Sequence, residues 1–169
     1  MKKIFLVTLL IISTMTFSAE KRHMILAGSA GSLSYFDFGT EYKSATSAMS
    51  GYYYSLNSTF QVGAQGSLYL FDGLSEGAYS VSPGLIINHP LKQGDTLSNA
   101  LFLQINLGEQ GTIGVHPSSS HFYYSFGFGK RFEIFPNVSY TPNLSIMKIP
   151  AFTTGPSYTF KFLEFAVLF

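Results

Sequence analysis

From residue 47 onward the chain alternates between apolar and weakly polar positions. Phe60, Val62, Ala64, Gly66, Leu68 and Leu70 share one parity, and Gln61, Gly63, Gln65, Ser67 and Tyr69 the other. Leu97, Leu101, Leu103, Ile105 and Leu107 alternate with Ser98, Ala100, Phe102, Gln104 and Asn106. Phe122, Tyr124, Phe126 and Phe128 alternate with His121, Tyr123, Ser125, Gly127 and Gly129, and Val138, Tyr140, Pro142, Leu144 and Ile146 with Asn137, Ser139, Thr141, Asn143 and Ser145. A period of two belongs to strands with two unlike faces. Helical spacing is not sustained after residue 20. Turn clusters punctuate the runs at Asp72-Gly73, His89-Pro90, Gln93-Gly94-Asp95, His116-Pro117-Ser118, Phe135-Pro136-Asn137 and Thr154-Gly155-Pro156. Eight strands are predicted, over 24–36, 47–57, 58–71, 77–88, 97–107, 119–133, 137–147 and 157–169.

The first 20 residues follow a different rule. Met1-Lys2-Lys3 is a positive start, Ile4–Ile12 is an apolar core of nine residues, and a small, polar stretch runs from Ser13 to Ala19. These three parts make a secretory signal peptide, too short to cross a bilayer as a helix. Residues 1–19 are expected to be removed, with cleavage after Ser18 or Ala19, leaving 20–169 as one domain. There is no cysteine, which excludes a disulfide scaffold, a thiolate metal site, a cysteine nucleophile and a lipid-anchored N-terminus. Formal net charge is +1, so nothing points to nucleic acid as a partner.

Charge decides what the two faces meet. Charged residues make up 11% of the chain, against about 25% in an ordinary soluble protein. A soluble sandwich or ligand-binding barrel would carry Lys, Glu, Asp and Arg on its wet face; here the polar parity is Gly, Ser, Thr, Asn and Gln. Most charges after the leader, Glu109 and Lys148 among them, fall in the N-terminal tail or in connections; within strands stand Lys130, Arg131, Glu133, Lys161 and Glu164. A small, weakly polar face suits the narrow inside of an eight-stranded barrel, and a continuous Leu/Val/Phe/Tyr face suits lipid. Lipid offers no hydrogen-bond partner to an open edge, so a spanning sheet must close on itself. The fold class is all-β: an eight-stranded antiparallel up-and-down transmembrane β-barrel. Tyr52, Tyr53, Tyr54, Tyr69, Phe71, Tyr79 and Tyr158, near strand ends, are candidates for interfacial girdles.

The chain ends on Lys161-Phe-Leu-Glu-Phe-Ala-Val-Leu-Phe169, in which Leu163, Phe165, Val167 and Phe169 form an apolar parity running to a terminal aromatic. In this the sequence resembles the small eight-stranded bacterial outer-membrane β-barrels, of the outer membrane protein A transmembrane-domain type or the outer membrane protein W type. The resemblance implies an outer-membrane location and a last strand read as an assembly signal by the barrel-assembly machinery. The implied partners are that machinery, periplasmic chaperones and outer-membrane lipids, with the barrel itself a monomer. An even strand number then puts both termini in the periplasm. Segments 37–46, 72–76, 108–118 and 148–156 become outward loops too short for extended receptor structures.

Candidate chemistry is sparse. Arg131, Glu133 and Glu164 share the inward parity near the periplasmic end and are expected to form a charged network plugging the lumen. Lys161, on the parity of Leu163, is expected on the lipid side, in reach of a lipid phosphate. His116, His121, Ser118–Ser120 and Glu109 lie close in sequence, and a carboxylate–His–Ser set could support hydrolysis. Lipid A deacylases of this barrel class carry His and Ser two residues apart; His121 is followed by Phe122 and Tyr123, whereas His116-Pro117-Ser118 has the spacing without the surrounding pattern. His23 and His89 fall at the periplasmic rim without an assigned role. No catalytic, cofactor or metal site is expected. The leading expectation is a non-enzymatic envelope or surface-interaction barrel; the alternatives are a narrow channel for small or apolar solutes and, behind it, a lipid A-modifying enzyme.

Overall fold

The computed structural model describes residues 23–29, 46–70, 77–89, 96–114, 119–151 and 155–169. The leader, Phe71, His116 and Ser118 lie outside these residues. The strand segments are β1 (His23–Ser29), β2 (Thr46–Ser55), β3 (Phe60–Leu70), β4 (Gly77–His89), β5 (Leu101–Ile113), β6 (Ser120–Lys130), β7 (Phe132–Phe135), β8 (Val138–Tyr140), β9 (Asn143–Lys148), β10 (Ser157–Lys161) and β11 (Leu163–Leu168).

Three pairs of segments are single strands interrupted once: β6 with β7, β8 with β9, and β10 with β11. Each strand then pairs antiparallel with its neighbours: β1 through β6 pair in succession, β6 pairs with β9 and β7 with β8, and β9 pairs with β10. β11 pairs with β8 on one side and with β1 on the other, from Met24↔Leu168 to Ser29↔Leu163. The last strand is thereby joined to the first, and the result is a closed eight-stranded up-and-down barrel. The seam continues to the chain end, where His23 N donates to Phe169 O and Phe169 N to His23 O, both at 2.9 Å.

The alternation sets the two faces as expected. Val62, Leu68, Leu103, Leu107, Phe122, Phe126, Phe128, Leu144, Phe165 and Val167 stand on the outside, while Gln61, Ser82, Asn88, Gln104, Asn106, Ser125, Ser139 and Asn143 are buried within. Pro83, which has no N–H to give the ladder, interrupts the β4–β5 pairing between Val81↔Glu109 and Gly84↔Asn106. The tight connections have local causes. Asn57 Oδ1 accepts from the N–H of Thr59 (2.8 Å) and Phe60 (2.7 Å), holding the β2–β3 turn. Pro136 and Asn137 link β7 to β8, and Asn137 takes the left-handed φ of 74° that the turn requires.

The structure corrects the sequence reading at four places. First, the fifth strand starts at Leu101, not residue 97, and runs to Ile113, so Glu109 lies in a strand. Leu97–Asn99 is a 3-10 turn with Ser98 fully buried. Leu97 packs against the luminal cluster of Met24, Leu26, Tyr53, Ile86, Phe102, Ala166 and Leu168. Second, Tyr53 is buried in the lumen and joins no girdle. Third, β7 is exposed on both faces, so Glu133 leaves the lumen. Fourth, between the pairs Lys161↔Asn143 and Phe165↔Tyr140, three residues (Phe162, Leu163, Glu164) face two (Thr141, Pro142). That extra residue is a β-bulge, and it exchanges the faces of the strand. Lys161 and Glu164 therefore both point inward although they are three residues apart.

Leu103 stands on the outer wall between Ile87 and Phe128, its partners on β4 and β6. Leu103→Arg is expected to cost about 2–4 kcal/mol by placing a charge on the lipid face, and Leu103→Phe almost nothing. The fraction of protein that changes electrophoretic mobility on boiling reads this out; equal folded fractions for the two variants would reverse the assignment of faces.

Candidate functional site

The lumen is the place where polar groups converge, and they do so in three layers. The first lies at the terminal rim, the end of the barrel carrying His23 and Phe169. Arg131, 1% exposed, sits in the break between β6 and β7, its backbone N–H turned to Ala100 O (2.9 Å). Its Nη1 donates to Asn88 Oδ1 (2.6 Å) and to Leu97 O (3.1 Å), and Nη2 to Gln61 Oε1 (3.0 Å). The guanidinium carbon lies 4.9 Å from the centroid of Phe102, a cation–π contact. Asn88 Nδ2 donates to Gln61 Oε1 (3.1 Å), and Gln61 Nε2 to Ser55 Oγ (3.0 Å), so the layer crosses from β6 to β2. The 3-10 turn closes it from below: Leu97 supplies the carbonyl to Arg131, and Ser139 Oγ donates to Ser98 O at 2.8 Å.

The second layer is centred on Tyr53. Gln104 Nε2 donates to Tyr53 Oη (2.7 Å) and Gln65 Oε1 (2.8 Å), and Asn106 Nδ2 donates to Ser125 Oγ (3.1 Å). Room for the phenol comes from two glycines on the facing strands. A Cβ on Gly63 would stand 2.8 Å from Tyr53 Cδ1, and one on Gly84 3.1 Å from Tyr53 Oη. The ring and amides thus span strands β2 to β6 at mid-height.

The third layer depends on the bulge. Lys161 Nζ lies 3.9 Å from Glu164 Oε2 and 3.2 Å from Met49 Sδ, and Thr141 Oγ1 donates to Glu164 Oε1 at 3.3 Å. Both amide atoms of Asn143 and Glu164 Oε2 are buried without a hydrogen-bond partner in the protein, so this layer is the least satisfied of the three.

The expected trio of Arg131, Glu133 and Glu164 is therefore not assembled. Arg131 is held by neutral amide and carbonyl oxygens, Glu164 is partnered by Lys161, and Glu133 stands exposed on β7. Lys161 points into the lumen and is buried there, not on the outer face where it was expected. Alternation could not reveal this, because a bulge leaves the sequence parity unchanged while reversing the faces. The Asn88–Gln61 pair and Tyr53 carried no charge signal and were missed, although their inward parity was legible. Of the histidine–serine set, Ser120 Oγ donates to Glu109 Oε1 on the outer wall, whereas His121 has the inward parity of its neighbour Tyr123. Ser120 and His121 thus project to opposite sides of the sheet. At the terminal rim His23 Nδ1 meets Tyr52 Oη at 2.6 Å, and its ring stacks on Phe169 at 5.5 Å between centroids. No group of three or more His, Asp or Glu able to hold a metal is present among the described residues.

Arg131→Ala should leave Asn88, Gln61 and the Leu97 carbonyl without their donor. With hydrogen bonds to a charged group worth about 1.5–3 kcal/mol each, a loss of at least about 3 kcal/mol is expected. Glu133→Gln, at an exposed position, should change stability by less than about 0.5 kcal/mol. Urea midpoints in detergent micelles measure both; equal shifts would contradict this division of roles.

No family model and no curated protein matches the chain. Solved structures do. The N-terminal β-barrel domain of Pseudomonas aeruginosa OprF superposes with a TM-score of 0.62 at 12% identity, over 89% of this chain and 98% of that one. Neisserial surface protein A gives a TM-score of 0.58 at 12% identity, over 88% and 95%. Ail, the attachment invasion locus protein of Yersinia pestis, gives 0.52 at 16% identity, over 89% and 99%. Identity this low speaks for architecture alone, and together with the closed ring of pairings it establishes that the chain has the fold of the small eight-stranded outer-membrane β-barrels.

Proposed function

We propose that the protein is an integral barrel of the bacterial outer membrane with an envelope or surface-interaction role, working through its wall and its outward loops, and without enzymatic activity. The observation that carries this reading is the occupied lumen. The Arg131 layer and the Tyr53–Gln104 layer cross the lumen with hydrogen-bonded side chains, in keeping with the narrow interior that eight strands enclose. Both chain ends then lie on the periplasmic side, after removal of residues 1–19, and the 3-10 turn Leu97–Asn99 closes the periplasmic mouth. Outer-membrane lipids surround the wall, and the barrel is a monomer. During biogenesis, periplasmic chaperones and the barrel-assembly machinery recognise Leu163, Phe165, Val167 and Phe169, whose side chains all face outward at the closing seam.

A second reading is a narrow channel, favoured by one observation: the loose Lys161–Glu164 pair and the unpartnered amide of Asn143 form a polar seam along the β8–β11 side of the lumen. Single-channel recording of refolded protein in a planar bilayer separates the two. Silence across voltages, with folding shown by heat-modifiable mobility, is expected; discrete, reproducible openings would replace the closed-scaffold reading with the channel. Deleting Phe169 should lower the amount assembled in cells while detergent refolding of the same variant still yields heat-modifiable protein. Normal assembly in cells would remove the assembly role from the last strand.

A further inference from the structure

The outer wall carries a carboxylate where apolar side chains are expected. Glu109 lies on β5 with the parity of Leu103 and Leu107, paired with Val81 on one side and Phe122 on the other. It borders an open groove of about 620 Å³ lined by Val81, Pro83, Leu107, Gly108, Ser120 and Phe122. Along β5 it is eight residues beyond Leu101, or about 20 Å up a wall whose apolar band is ~25 Å tall. That is near the far end of the band, between Tyr124, paired with Leu107, and Tyr79, paired with Gly111.

We infer that this groove binds a lipid bearing a primary ammonium head group, of the ethanolamine type, with the ammonium on Glu109 and Ser120 and an acyl chain along Val81, Pro83, Leu107 and Phe122. Charge complementarity selects the occupant. Ser120 Oγ gives its proton to Glu109 Oε1 and keeps its lone pairs, so the carboxylate and the hydroxyl together present acceptors to a group with three N–H donors. A quaternary ammonium has no proton to give them. A divalent cation is disfavoured, because it seeks six or more oxygen ligands and no cluster of three acidic or histidine side chains occurs among the described residues. The inference rests on the reading of the outer wall as lipid-facing.

The test is lipid retention by the refolded protein, after heat-modifiable mobility has shown that the barrel is formed. Ethanolamine, choline and glycerol phospholipids of matched chains are offered in equal amounts, and bound lipid is counted by native mass spectrometry. At least threefold preference for the ethanolamine lipid over the choline lipid is expected, abolished by Glu109→Gln, weakened by Ser120→Ala and unchanged by Glu133→Gln. Equal retention by the wild type, or a preference that survives Glu109→Gln, would overturn the proposal. Retention of the glycerol lipid only with added magnesium would overturn it in favour of a bridging cation. Protein that never becomes heat-modifiable would overturn the membrane-barrel reading and this site with it, whereas a folded barrel without selectivity overturns the site alone.

Discussion

Every strand of this protein depends on a constraint imposed by the solvent around it. Within a bilayer, the surroundings that an outer face of Leu, Val and Phe suits, no water satisfies a free edge, so each backbone N–H and C=O must find a partner within the sheet. The β1–β11 pairing supplies that closure, and it extends to the last residue through the reciprocal His23–Phe169 bonds. The C-terminal residues are consequently the final rungs of the ladder. His23 is tied into the same seam by its stack on Phe169 and its bond to Tyr52.

Closure with eight strands creates the second problem, a lumen too narrow for bulk water and lined by amides and hydroxyls. The solution is mutual satisfaction. Tyr53 reaches across to Gln104 over glycines that leave space for its ring, and Arg131 draws the oxygens of Asn88, Gln61 and Leu97 around one guanidinium. Neutral acceptors suffice because an arginine cannot lose its proton and offers five donors. The apolar cluster of Met24, Leu26, Ile86, Phe102, Ala166 and Leu168 fills the remaining space at the same end. Satisfaction is incomplete at Arg131 Nε, Ser98 Oγ and Ser82 Oγ, and least complete in the polar seam of Lys161, Glu164 and Asn143, where three buried atoms lack protein partners.

The two carboxylates placed by the fold illustrate how environment divides one chemistry. Glu164 faces inward and is held by Lys161 and Thr141, while Glu109 faces outward and is held by Ser120. The first belongs to the packing of the barrel, and the second is available to whatever lies against the wall. Neither distinction follows from residue type, since both are glutamates in alternating strands.

Alternation by itself determined the strand number, the antiparallel barrel and the faces of β3, β5, β6 and β9, because each side-chain position reports its face when the period of two is unbroken. The scarcity of charge marked the apolar face as the one suited to lipid, through the cost of a charge in hydrocarbon. The inward location of Arg131 and Glu164 was legible in the same way. Tertiary structure alone decided their partners, since Asn88, Gln61 and Lys161 come from strands distant in sequence or from across a bulge. It also decided where the pattern stops applying. The extra residue between Lys161 and Glu164, the turn at Leu97–Asn99 drawn into the mouth, and β7 reaching past its neighbour each break the period without leaving a mark on composition. Register and closure are properties of the whole ring, and a single strand read alone carries no record of them.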